Sequence, residues 1–212
     1  MSNEQLEQQL TRGLAALGLE LPAEVQQQLL RFIHLLGKWN KAYNLTAVRD
    51  PAEMVTKHLL DSLAILPYLE EGEIIDVGTG PGIPGIPLSL TRPSGRFTLL
   101  DSNSKKTRFV TQAIMELGIK NVTVVQSRAE AFQPGHPYDV VIARAFAGIK
   151  ELLHWVQHLC TAGTRIIAMK GQYPEDEMEG WPAGFTCESV EKITIPGLQA
   201  ERHLVLIRYE NE

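Results

Sequence analysis

Between Glu73 and Gly85 an apolar run, Ile74-Ile75-Asp76-Val77, empties into Gly78-Thr79-Gly80-Pro81-Gly82-Ile83-Pro84-Gly85. No other stretch restricts the fold of this chain as strongly. The run reads as a buried strand and the glycine-rich turn as the opening of a helix, which brings backbone within contact distance of a nucleotide-like ligand. A purely structural tight turn is the plain alternative. Gly80, Gly82 and Gly85 satisfy the G-x-G-x-x-G dinucleotide pattern, and Asp101 stands 19 residues beyond Gly82, where a ribose-binding acid would sit. The prolines argue against a dinucleotide. Pyrophosphate needs main-chain N–H groups at the helix start, and Pro81, Pro84 and Pro87 each remove one. Asp76 adds negative charge beside the place where pyrophosphate would lie. A ligand with an adenosine end, no phosphate and a cationic centre fits better. S-adenosylmethionine is such a ligand, and Asp76-x-Gly78-x-Gly80-x-Gly82 has the form of the first motif of the methyltransferases that use it.

After this strand the pattern repeats as strand then helix. Phe97 to Leu100 predicts a second strand ending at Asp101, Thr107 to Leu117 a helix capped by Gly118, and Val122 to Val125 a third strand. Val140 to Ala143 predicts a fourth strand, then a helix through Ile149, Leu152, Leu153, Val156 and Leu159 that stops near Gly163. Arg165 to Met169 gives a fifth strand, and 185–209 two more joined near Pro196-Gly197. Short apolar strands alternating with helices imply a parallel sheet covered on both faces, and a final pair without a helix implies an antiparallel edge hairpin. The expected fold class is α/β: a Rossmann-like, mostly parallel seven-stranded sheet with a helical N-terminal extension. Residues 1–70 form that extension, with Leu6, Leu10, Leu14 and Leu17 at helical spacing and a second helix after Pro22. Asp50-Pro51-x-Glu53 predicts a third helix, with Asp50 as N-cap and Glu53 placed to bond back. Residues 71–212 form the core, and no linker separates the two parts.

No run approaches the roughly 18 apolar residues of a membrane span. The polar start Met1-Ser2-Asn3-Glu4-Gln5 does not read as a secretory signal, and Cys160 and Cys187 lack metal or redox spacing. A cytoplasmic protein with two reduced thiols is expected, with no membrane and no obligate protein partner. A net charge of −5 argues against a general nucleic-acid coat, but not against an enzyme that visits one RNA site through a local basic surface.

In doubly wound sheets ligands lie at the carboxyl ends of the strands, near the switch in strand order. The candidates there are Asp76 to Gly82, Asp101, Ser127 to Glu130, Arg144 to Phe146, and Lys170. Asp101 suits both ribose hydroxyls, or equally a helix N-cap. Residues 128–130 suit an adenine edge, or an ordinary exposed turn. The residues leaving the fourth strand bear on reaction class. The chain has Ile142-Ala143-Arg144-Ala145-Phe146 there, not the Asn/Asp-Pro-Pro-aromatic run of amino-directed base methyltransferases. Cys160 towards a helix end and Cys187 in a late strand are poorly placed as nucleophiles for carbon methylation. Arg144 suits a carboxylate, a phosphate or guanine O6/N7. His154 and His158 lie one helical turn apart with no third ligand evident, so no metal is expected.

Taken together, Trp39-Asn40-Lys41-Ala42-Tyr43-Asn44-Leu45-Thr46, His58-Leu59-Leu60-Asp61-Ser62, the 76–85 segment, Ser127-Arg128-Ala129-Glu130 and Arg144-Ala145-Phe146-Ala147 resemble the RsmG family, formerly glucose-inhibited division protein B. The likeness runs from about residue 25 to the C-terminus. It implies a bacterial enzyme that transfers methyl from S-adenosylmethionine to N7 of a guanine in 16S ribosomal RNA, within the small subunit or an assembly intermediate. By this resemblance Gly78, Ile83, Ala129, Glu130 and Arg144 contact the cofactor, joining Asp76, Gly80, Gly82 and Asp101 from the motif reading. Ile83 stands where relatives often have Leu or Phe. Guanine N7 carries a lone pair and no proton, so transfer needs no general base, and alignment suffices. No catalytic side chain is therefore expected, Arg144 being a candidate orienting residue. For RNA, the expected contacts are Lys38, Lys41, Asn44, His58 and Lys170, with a basic rim drawn from Lys38, Lys41, Arg49, Lys57, Lys105, Lys106, Arg144 and Lys170. Packing or capping is an equal alternative for His58. Methylation of a small molecule or protein, or cofactor-dependent regulation without catalysis, are the competing functions.

Overall fold

The computed structural model describes residues 2–144 and 148–210. Seven strands form one sheet in the order β3-β2-β1-β4-β5-β7-β6. They are β1 (Glu73–Val77), β2 (Arg96–Asp101), β3 (Val122–Gln126), β4 (Tyr138–Arg144), β5 (Cys160–Lys170), β6 (Phe185–Ile193) and β7 (Arg202–Tyr209). The first five run parallel, and β7 pairs antiparallel with both β5 and β6. The order reverses between β1 and β4, whose carboxyl ends therefore diverge into a crevice.

Helices α1 (Asn3–Ala16), α2 (Ala23–Tyr43), α3 (Pro51–Met54), α4 (Asp61–Leu63), α5 (Gly85–Thr91) and α6 (Ser104–Leu117) precede α7 (Ile149–Val156). Alternation along each central strand divides the core in two. Ile74, Phe97, Leu99, Val140 and Ile142 face one cluster with Leu10, Phe32, Leu36, Leu63 and Phe109. Ile75, Val77, Leu100, Val141 and Ala143 face the other, against Leu152, Leu153 and Val156 of α7. The cover is unequal. α7 is the one helix on the second face among the described residues, because only a 3₁₀ turn at Ala129–Ala131 links β3 to β4. The N-terminal helices share the first cluster with the sheet, so their apolar faces are buried by the core they cover.

Local signals explain most boundaries. Ser2 and Gln5 make a reciprocal capping box at α1. Asp50 caps α3 through Ala52 N–H at 2.7 Å, but Glu53 does not bond back, since its carboxylate is held by Lys57 at 2.7 Å. Asn103 caps α6, which ends at Gly118 in the left-handed region (φ 67°). Two boundaries differ from expectation. The helix containing Leu152 gives way to a 3₁₀ turn, Gln157–Leu159, and Cys160 begins β5 instead of ending a helix. The third N-terminal helix is interrupted by a π-helical turn, Val55–Leu60, between α3 and α4. An extra residue per turn rotates the side chains beyond it, a device concentrated at functional sites.

Candidate functional site

The glycine turn closes on itself. Gly78 and Thr79 both donate to Leu100 O, at 2.8 and 3.0 Å, which binds the turn to the end of β2. Gly80 N donates to Asp101 Oδ2 at 2.8 Å, Gly82 and Ile83 donate to Thr79 O, and Gly85 N donates to Asp76 Oδ2 at 2.9 Å. Pro81 and Pro84 have no N–H. Every amide from Gly78 to Gly85 is thus occupied or missing, and none is left for a phosphate. Gly78, Gly80 and Gly82 sit at φ 71°, 59° and 82°, where side chains with a Cβ are strained, so the turn needs glycine at each.

Beside this turn lies a cavity of about 220 Å³ lined by Gly78, Asp101, Ser102, Ala129, Glu130 and Trp155, with the ends of β1 and β2 as its floor. Of the expected cofactor residues, Gly78, Asp101, Ala129 and Glu130 line it. Gly80, Gly82, Ile83 and Arg144 do not: Gly80 and Gly82 belong to the turn, Ile83 is buried in the core, and Arg144 stands at the end of β4, outside the cavity wall. Asp101 turns out to be an anchor as well as a wall. Its Oδ1 accepts from Asn103 N at 2.8 Å and its Oδ2 from Gly80 N, each oxygen keeping a further lone pair for a ligand. The cap of α6 is Asn103, not Asp101.

Asp76 is fully buried and lies outside the cavity wall. Its Oδ2 accepts from Thr79 Oγ1 at 2.6 Å and from Gly85 N, while Oδ1 has no partner. Burial pushes its carboxyl up to about 6, outweighing those two hydrogen bonds and the nearby Arg144 cation. The expectation of direct ligand contact by Asp76 gives way to a loop-holding role, because no face of its side chain is open.

On the other side of the crevice a polar cluster joins the N-terminal helices to the sheet. Asn40 of α2 accepts from Thr46 N at 2.9 Å and donates to Val48 O, holding the 44–48 loop. Thr46 Oγ1 meets His58 Nε2 at 3.0 Å. His58 is 4 % exposed, on the π-helical turn, so its expected RNA contact has no surface to act from. Burial, reinforced by the Arg144 charge, lowers it to about 4, so the ring is neutral at physiological pH. Asp61 then accepts from Arg202 Nε at 2.7 Å and lies 3.5 Å from Arg144 Nη1. Asp61 and Arg202 were not among the residues expected from sequence; only the His58–Ser62 motif hinted at the first.

The remaining cations divide. Lys170 is locked to Glu177 at 2.6 Å, and the same carboxylate accepts Ile149 N at the start of α7, which removes Lys170 from the free RNA contacts. Lys57 is paired with Glu53, and Arg49 donates to Asn44 Oδ1 at 3.2 Å. Lys38, Lys41, Asn44 and Lys105 are exposed, and Lys106 is half-buried above the glycine turn. The Trp39–Phe109 ring contact, 5.7 Å between centroids, packs the last turns of α2 against α6. The Ala145-Phe146-Ala147 part of the expected site lies outside the described residues. Burial pushes the Cys160 thiol up to about 12, which leaves it unreactive as a nucleophile.

Strand order, edge hairpin and a glycine turn at the switch point together define a Rossmann-like methyltransferase. TrmN from Thermus thermophilus shares the fold at a TM-score of 0.55 and 17% identity, over 70% of this chain and 48% of that one. An rRNA methylase from Streptococcus thermophilus does so at 0.50 and 16%, over 78% and 100%. Within that class the chain belongs to the rRNA small subunit methyltransferase G family, whose model matches residues 25–205. It is 55% identical to ribosomal RNA small subunit methyltransferase G of Alteromonas mediterranea over 94% of each chain. With the Pseudomonas putida protein of the same name it shares 51%, over 95% of this chain and 94% of the other.

Proposed function

We propose that this protein transfers a methyl group from S-adenosylmethionine to N7 of a guanine in 16S ribosomal RNA. The observation that carries the cofactor reading is the fully occupied set of amides from Gly78 to Gly85, which suits a nucleoside ligand without phosphate. A second fits the methionyl end: Arg144 Nη1 is a buried donor with no hydrogen-bond partner. When bound, S-adenosylmethionine supplies an electrophilic methyl on a sulfonium centre. Asp101 would hold the ribose hydroxyls with its remaining lone pairs, Ala129 and Glu130 the adenine edge, and Gly78 would leave room for the methionyl portion. Arg144 would take the carboxylate.

The chain's own contribution to rate is placement. Guanine N7 has no proton to lose, so no side chain need act as base; the neutral His58 and the protonated Cys160 agree with that economy. Lys38, Lys41, Lys105 and Lys106 would position phosphates around the crevice, supplying affinity without base choice. Membership of the rRNA methyltransferase family supports RNA as substrate, and among the described residues no helix is long and apolar enough to cross a membrane. Work on the ribosome of the cytoplasm is consistent with this reading.

The test is tritiated methyl transfer to small-subunit RNA from cells lacking the protein, then mapping of the labelled nucleotide. One 7-methylguanosine in 16S RNA is expected. Label at another atom or in another RNA would refute the specificity. Tight binding of S-adenosylhomocysteine with no incorporation would favour a non-catalytic regulator.

A further inference from the structure

Asp61 sits where the N-terminal helices meet the sheet, directly after the π-helical turn, and is 1 % exposed. Two guanidinium groups converge on it from two different strands. Arg202 of β7 makes a short, charge-assisted bond from Nε to Oδ1 at 2.7 Å. Arg144 at the end of β4 stands off, with Nη1 3.5 Å from Oδ2 and without hydrogen-bond geometry. Asp61 thus gives its one short bond to Arg202, and Arg144 keeps a buried donor atom, Nη1, without a hydrogen-bond partner. The same Arg144 charge acts on Asp76 and His58, whose own unpartnered atoms, Oδ1 and Nδ1, are also buried. Of these atoms the Arg144 Nη1 donor is the one that a carboxylate oxygen would satisfy.

We infer that Asp61 is a positioning residue for the transfer reaction. It pins the Arg144 guanidinium at the ends of β1 and β4 with a donor left open, so that a carboxylate on the bound ligand completes the cluster. Arg202 serves this by anchoring Asp61 to β7, which holds the carboxylate still. Without Asp61 the guanidiniums of Arg144 and Arg202 would repel each other, and Arg144, whose side chain is already 25 % exposed, would turn towards solvent. The inference rests on Arg144 as a cofactor contact, and the experiment separates the two.

Calorimetry with S-adenosylhomocysteine is run on Arg144→Ala, Asp61→Asn, the Asp61→Asn/Arg144→Ala pair and Asp61→Asn/Arg202→Met, with melting temperatures measured alongside. Asp61→Asn leaves two converging cations unneutralised and is expected to melt lower. Asp61→Asn/Arg202→Met removes one charge of each sign and protects the fold while leaving Arg144 unpinned. Binding at least tenfold weaker than wild type is expected for both. In the Arg144→Ala background, Asp61→Asn should add less than a twofold loss, because Asp61 acts through Arg144. Near-wild-type affinity in Asp61→Asn/Arg202→Met, or a further tenfold loss in the Arg144→Ala background, overturns the positioning role and leaves the Arg144 contact standing. Normal affinity in Arg144→Ala alone overturns both.

Discussion

Replacing Asp76 by Asn should make the protein respond differently to pH in a way set by one buried carboxylate. Asp76 is fully buried, and burial raises it from 3.8 to about 6 despite hydrogen bonds from Thr79 and Gly85. Because the folded state holds this proton more tightly than the unfolded chain, the associated stability is complete below pH 3.8 and is lost as pH rises through about 6. At 1.36 kcal/mol per pKa unit, ionised Asp76 costs the folded protein about 3 kcal/mol at neutral pH. Asparagine removes that cost. Its Oδ1 can still accept from Thr79 Oγ1 and Gly85 N, but its N–H₂ would occupy the side where Asp76 Oδ1 now has no partner, a loss of about 1–3 kcal/mol. The net effect at pH 7.5 is therefore from about zero to about 2 kcal/mol of added stability. Urea unfolding of both proteins between pH 4 and 8 isolates this contribution, since other titrating groups cancel in the difference. The variant should gain on the wild type as pH rises from 4 to 7 and then level off. A difference that stays flat across that range would refute the reasoning, whatever its sign.

Gly78→Asp should abolish S-adenosylhomocysteine binding in calorimetry while leaving a folded protein. The strain at φ 71° costs about 1–2 kcal/mol, but the side chain intrudes on the cavity wall and adds a carboxylate near Asp76; measurable near-normal affinity would sink the site. Asp101→Ala should weaken the same ligand by about 1.5–3 kcal/mol. An analogue lacking ribose hydroxyls should lose part of that too, since Asp101 also anchors Gly80 N and Asn103 N; no loss for the analogue would deny the anchoring role. Lys38→Ala, Lys41→Ala, Lys105→Ala and Lys106→Ala combined should leave cofactor affinity unchanged and flatten the salt dependence of RNA binding, by roughly 0.7 in log–log slope per lost phosphate contact. An unaltered slope would place the RNA elsewhere.

The sequence by itself determined the sheet. Strands β1 to β4 are short runs with apolar centres, as is the 165–169 part of β5, and alternate side chains along them divide between two cores, so local pattern and burial agree. It also determined the glycine turn, because glycine takes positive φ at 78, 80 and 82 without the strain a Cβ would bring. What it could not determine was which polar groups meet. Asp61, Arg144 and Arg202 lie far apart in the chain and come together only because β4 and β7 flank β5 while the π-helical turn aims Asp61 at their ends. Burial made the other decisions. It took Asp76 and His58 out of reach of any partner on the surface, although their motifs look like contacts when read along the chain. Lys170 reads as a free cation until the fold sets Glu177 against it, whereas the Lys57–Glu53 pair is local, one helical turn apart. Periodicity reports which face of an element is apolar; the partners of a charge depend on distances in space, and those exist only once the chain has folded.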